Sequence, residues 1–130
     1  MTRRQAREEA FILIFEKQFN LLDISEILEI AKEVRDLEPD DYIKTVFSGV
    51  YDNVDDIDSI ISENAIGWKI NRISKVSLCI LRLAIYEMKY IDDIPPSVSI
   101  NEAVELAKKY ATKEDASFIN GILSTVEKSK

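Results

Sequence analysis

The chain has 130 residues, 17 Lys+Arg against 24 Asp+Glu, no histidine, and a formal net charge of −7. Without histidine there is no Ser-His or Cys-His catalytic pair and no imidazole metal ligand. A single cysteine, Cys79, excludes an intramolecular disulfide and any Cys-rich zinc site, and an unpaired thiol suits a reducing compartment. The length fits one domain, and hydrophobic residues at 46% are too many for a disordered chain. The longest apolar runs fall far short of the ~20 residues needed to cross a bilayer. The basic start is interrupted by Glu8 and Glu9 before any apolar run, a poor signal peptide, so a cytoplasmic protein is expected.

The helical period runs nearly throughout. Ala6, Ala10, Leu13 and Ile14, widened by Phe11 and Phe15, predict a first helix over about 3–19. Residues 20–23 read as a turn, and Asp23 with Glu26 is an N-cap signature for a second helix whose stripe is Ile24, Ile27, Leu28, Ala31, Val34 and then Leu37. Pro39 fits the first turn of a third helix, continued by Val46, Phe47, Val50, Val54, Ile57, Ile60 and Ile61. Gly49 interrupts that stripe at a cost of ~1 kcal/mol against Ala, which close approach of a neighbouring helix would justify.

The pattern breaks at Ile66-Gly67-Trp68. A strongly hydrophobic helix over about 72–90 has the wide apolar arc of a central element. Pro95 and Pro96 end the next loop. Ser97 can cap a helix to about Tyr110, and a last helix is expected over 115–127. There is no alternating strand pattern and no internal repeat. The expected class is all-α, a single domain spanning residues 1–130 with about seven helices.

The three glycines are isolated, so there is no phosphate-binding glycine loop. Asp52, Asp55, Asp56 and Asp58 lack the turn glycine and distal Glu of a calcium loop and read as helix-surface acids. Cys79 reads as a small buried hydrophobe and Trp68 as the anchor of a core edge. The net charge speaks against nucleic acid, but it is unevenly spread. Residues 1–7 carry +3 and residues 65–91 carry +4, whereas residues 23–64 carry −10. Arg3 and Arg7 are i, i+4 with Arg4 beside them, so three guanidiniums can fork onto successive phosphates. Phe118, in Ser117-Phe118-Ile119-Asn120-Gly121, is an aromatic that can stack an unpaired base.

The runs Leu81-Arg82-Leu83-Ala84-Ile85-Tyr86-Glu87-Met88, Ile94-Pro95, residues 98–108 (VSINEAVELAK) and Phe118-Ile119-Asn120-Gly121-Ile122-Leu123, in this order, strongly resemble the NusB transcription antitermination family. Residues 3–8 match that family's arginine-rich start, with Gln5 in place of a third-position arginine. The resemblance implies two small helical bundles packed together, no enzymatic activity and no cofactor. It further implies binding of single-stranded boxA RNA in ribosomal leader transcripts together with NusE, which is also a ribosomal protein. NusA, NusG and RNA polymerase join through that complex, and no membrane is involved. Some relatives self-associate, so a homodimer is a further implied state. By the same resemblance, Arg3, Arg4, Arg7 and Phe118 contact RNA, Phe15 stands where relatives place a Tyr against NusE, and Ser77 stands at a second NusE-contacting position that is acidic in some relatives. The rival readings are a helical protein–protein adaptor without RNA affinity and an RNA-recruiting domain related to rRNA methyltransferases. Nothing in the chain resembles the glycine-rich methyl-donor loop of those enzymes.

Overall fold

The computed structural model describes residues 1–129. Among them are seven α-helices and no strand: α1 Arg3–Lys17, α2 Ile24–Arg35, α3 Asp41–Asp52, α4 Val54–Asn64, α5 Lys75–Tyr90, α6 Pro96–Tyr110 and α7 Lys113–Lys128, with a single 3₁₀ turn at Ile70–Arg72. The all-α expectation holds. Helices α1–α3 form one small bundle and α4–α7 a second, and α5 joins them by packing on α1, α3, α4, α6 and α7. From Ser77 to Met88 every side chain of α5 is buried, which is why its apolar arc is so wide.

Local chemistry sets the boundaries. The Asp23–Glu26 capping box forms as expected, the Glu26 N–H donating to the Asp23 carboxylate at 2.9 Å and the Asp23 N–H to the Glu26 carboxylate at 3.3 Å. Four expectations are corrected. Pro39 lies outside α3, because Asp40 can do what a proline cannot and accept from the Ile43 N–H, at 2.8 Å. The third helix is two helices, α3 ending in the C-cap Asn53, whose backbone N–H and side-chain amide both donate to the Gly49 carbonyl, at 3.1 and 2.8 Å. The apolar spacing runs through this break, so periodicity alone could not detect it. Helix α6 starts at Pro96, whose missing N–H costs nothing at the first helical position, and Ser97 lies inside the first turn. Helix α7 starts two residues before the expected 115, capped by Thr112, which accepts from the Asp115 N–H at 3.1 Å.

Gly49 is where α3 meets α5. A Cβ built there would overlap the ring of Tyr86, itself buried and stacked on Tyr90 with ring centroids 5.1 Å apart. Gly49→Ala should therefore destabilise the protein by about 1–3 kcal/mol in urea unfolding, although alanine is the better helix former. A Gly49→Ala protein at least as stable as the parent would show that the two helices do not need this contact.

Candidate functional site

The arginine-rich start forms the first turn of α1, capped by Thr2, whose hydroxyl accepts from the Gln5 N–H at 3.1 Å while its own N–H donates to the Gln5 side chain at 2.8 Å. The three arginines cluster but differ in environment. Arg4 donates to both oxygens of Glu102, from Nε at 2.9 Å and Nη2 at 2.7 Å, yet its side chain stays 70% exposed. Arg3 is exposed, its guanidinium 4.6 Å from the Tyr42 ring centroid.

Arg7 is turned inward. It is only 5% exposed and donates from Nε to Glu87 at 2.7 Å and from Nη1 to Glu102 at 3.2 Å. Glu87, fully buried, also accepts from the Tyr42 hydroxyl and from the Ser99 hydroxyl at 2.8 Å. One carboxylate thus ties α1, α3, α5 and α6 together. Burial works most strongly against the charge on Arg7, but Glu87, Tyr42 and Glu102 together outweigh it and hold the guanidinium above its ordinary value. The Tyr42 hydroxyl is pushed up by burial and then by the neighbouring Glu87 anion. Glu102 is held below the ordinary carboxylate range, chiefly by its hydrogen bonds from Arg4. The i, i+4 spacing of Arg3 and Arg7 did not reveal this difference, because Arg7 belongs to the stripe Ala6, Ala10, Phe11, Leu13 and Ile14 that α1 buries.

Helix α6 extends the basic surface. A cleft of about 370 Å³ is lined by Arg4, Arg7, Lys108 and Lys109 together with Glu8, Glu102 and Glu105, so its cations are partly paired. Lys108 also lines a larger groove of about 910 Å³ between α6 and α7, whose walls include Asn101, Lys113, Ser117, Asn120 and Ser124. Phe118 follows Ser117 on the adjoining flank of α7. It is half-buried, and its ring meets Trp68 edge-on at 5.4 Å between centroids. Trp68 does not close off the core; it is 54% exposed. The arginine cleft adjoins the α6–α7 groove through Lys108, whereas Phe118 lines a separate cavity with Trp68, Ser77, Glu114 and Asp115, groupings that helical spacing could not establish. Lys108, Lys113, Asn101 and Asn120 were not singled out from the sequence, although Asn101, Lys108 and Asn120 lie inside the motifs that carry the resemblance.

The two expected partner residues are far apart in character. Phe15 is half-buried in an aromatic run on α1, 6.2 Å from Phe11 and 4.9 Å from Phe19, with Phe19 and Leu21 exposed beyond it. Ser77 is only 1% exposed, and its hydroxyl has no hydrogen-bond partner. It lines a small cavity with Trp68 and Phe118. Cys79 is buried, and burial pushes its thiol up to about 12, so it behaves as the small hydrophobe expected. Asp58 is held by Arg82 through a pair of hydrogen bonds of 2.9 and 2.8 Å, and Asp56 meets Lys89 and Tyr90. No group of three or more metal-ligating side chains occurs among the described residues. No helix among them is long and apolar enough to cross a membrane.

The domain is all-helical, with open grooves on α1, α6 and α7 lined by cations, amides and acids. The comparisons with known proteins identify its family. The NusB family model matches residues 4–128. The transcription antitermination protein NusB of Ruminiclostridium cellulolyticum is 47% identical over 98% of this chain and 90% of its own length, and that of Clostridium novyi is 43% identical over 99% and 100%. Among solved structures, T. maritima NusB superposes with a TM-score of 0.86 at 36% identity, covering 98% of this chain and 92% of its own. A structure of the antitermination factors NusB and NusE in complex with double-stranded RNA gives 0.86 at 27% identity, covering both chains fully. The chain belongs to the NusB family of transcription antitermination factors, which are RNA-binding and adaptor proteins rather than enzymes.

Proposed function

We propose that this protein binds a single-stranded boxA-type element of nascent ribosomal RNA jointly with NusE, and through that complex with NusA, NusG and RNA polymerase lets transcription pass terminators in the cytoplasm. The observation that carries the reading is the surface from exposed Arg3 and Arg4, past Lys108, into the Asn101–Asn120 groove, with half-buried Phe118 next to that groove's Ser117 on α7. In it Arg3 and Arg4 hold phosphates, Phe118 stacks a base, and Arg7 serves from behind by fixing the first turn of α1. The aromatic run at Phe15, with Phe19 and Leu21 exposed beside it, offers the NusE contact. The acidic block over residues 23–64 suits a basic ribosomal protein by steering its approach. The solved NusB–NusE–RNA complex, whose NusB covers this whole chain, supports both partners.

The test is to measure the affinities of this chain, NusE and a boxA RNA in all three pairs and in the ternary mixture. Positive coupling of roughly tenfold is expected. Strictly additive binding, or NusE binding with no RNA affinity at any salt concentration, would instead leave a protein–protein adaptor. Glu114 lines the cavity beside Phe118, where its charge repels phosphate. Glu114→Gln should raise RNA affinity about twofold at low salt, with the gain shrinking as salt is added. An unchanged or lower affinity would move the RNA away from this end of α7.

A further inference from the structure

Where the 3₁₀ turn meets the start of α5, a cavity of about 180 Å³ is walled by Trp68, Arg72, Ile73, Ser74, Ser77, Glu114, Asp115 and Phe118. Three features make it a receptor. Its two aromatic rings meet edge-on, 5.4 Å between centroids and inclined by 62°, and the larger is half in solvent. Ser77 contributes a hydroxyl that is buried yet makes no hydrogen bond. Arg72 is an exposed cation on the same wall.

Each feature is a cost without a ligand. Leaving a large indole 54% in water forgoes the burial that a core-edge anchor would provide. A buried hydroxyl without a partner is destabilising. The backbone N–H of Ser77 is already taken by the capping Ser74 hydroxyl at 3.2 Å, so the free group is the side chain itself. A flat, π-faced, hydrogen-bonding ligand on a phosphate tether satisfies all three at once. It stacks on Trp68, fills the unmet valence of Ser77 with its edge, and brings a phosphate to Arg72.

We propose that this cavity is a single-nucleobase pocket in which Trp68 is the principal stacking platform, Ser77 the group that reads the base edge, and Arg72 the clamp on its phosphate. This rests on the RNA-binding reading above but extends it from Phe118 to three residues on another part of the chain. It also gives Ser77 a role toward RNA in place of the partner contact expected from the resemblance.

Trp68 is the only tryptophan, so its emission reports this pocket alone. A short single-stranded boxA RNA is titrated into the full chain at fixed salt, then the same strand carrying one abasic nucleotide at each position in turn. Trp68 emission is expected to be quenched in proportion to binding. Trp68→Ala should weaken binding roughly tenfold and Ser77→Ala roughly threefold, with unfolding curves showing both proteins folded. One abasic position should cost the parent roughly tenfold and cost the Trp68→Ala protein nothing, because both changes remove the same stack. If the RNA binds in a manner sensitive to Arg3 and Arg4 while Trp68 emission is unmoved and both variants bind like the parent, the pocket is overturned and the RNA reading stands. If no RNA binds under any condition, both fall together. If NusE alone quenches Trp68 and Ser77→Ala weakens NusE instead of RNA, the cavity takes a protein side chain and the nucleobase assignment is overturned.

Discussion

A Glu87→Ala protein should unfold about 3–5 kcal/mol more easily than the parent, with a melting temperature lower by roughly 10 °C or more. The size follows from what the carboxylate serves. Arg7, 5% exposed, would keep only the 3.2 Å contact to Glu102, a carboxylate already engaged by Arg4. The hydroxyls of Tyr42 and Ser99 would lose their acceptor inside the protein. An uncompensated buried charge and two orphaned donors all act in the same direction. Glu87→Gln keeps an acceptor of the same shape and should cost less, about 1–3 kcal/mol. The double variant Arg7→Met, Glu87→Leu removes both charges and should be more stable than Glu87→Ala alone, because no buried charge is left unpaired. Urea unfolding of the parent and the three variants ranks these costs. A Glu87→Ala protein within about 1 kcal/mol of the parent would mean that water reaches this network.

The double variant Arg3→Gln, Arg4→Gln should cost only about 1 kcal/mol of stability and weaken RNA binding roughly 10- to 100-fold at about 0.1 M salt. The cost stays small because the Thr2–Gln5 cap is untouched and Glu102, which loses its two bonds from Arg4, keeps the 3.2 Å contact from Arg7. The decisive readout is the salt dependence. Each phosphate neutralised on a single strand contributes about 0.7 to the slope of log K against log salt, so losing two contacts should flatten that slope by about 1.4. An unchanged slope would show that the RNA phosphates lie elsewhere. Replacing Arg7 is the wrong test, since its removal breaks the Glu87 network and confuses unfolding with lost binding.

Much of the fold was legible in the chain. The stripes of α1, α2 and α5, the Asp23–Glu26 box and the breaks at residues 66–68 and 92–95 are local effects that spacing and capping chemistry report directly. The misplaced boundaries at Pro39, Asn53, Ser97 and Thr112 share a cause. Each depends on which of several neighbouring polar or proline residues takes the orphaned backbone groups, and the apolar period does not record that choice. Gly49 was legible as a close-approach position, but only packing names Tyr86 as the group approaching.

The net charge of −7 pointed away from nucleic acid, and its uneven distribution already qualified that, because charge is a property the chain carries without folding. The sequence by itself also determined the helical class, the central helix and the family, each of which depends on residue order along the chain. Only the tertiary structure decided which of the three arginines is turned inward, that Lys108 joins the arginine cleft to the α6–α7 groove, and that Trp68, Phe118 and the unpaired Ser77 hydroxyl line one cavity. Arg7 and Glu87 are eighty residues apart in the chain, and their contact exists only once α1 has packed on α5. Burial and charge pairing are properties of that packed neighbourhood, and no helical period encodes it.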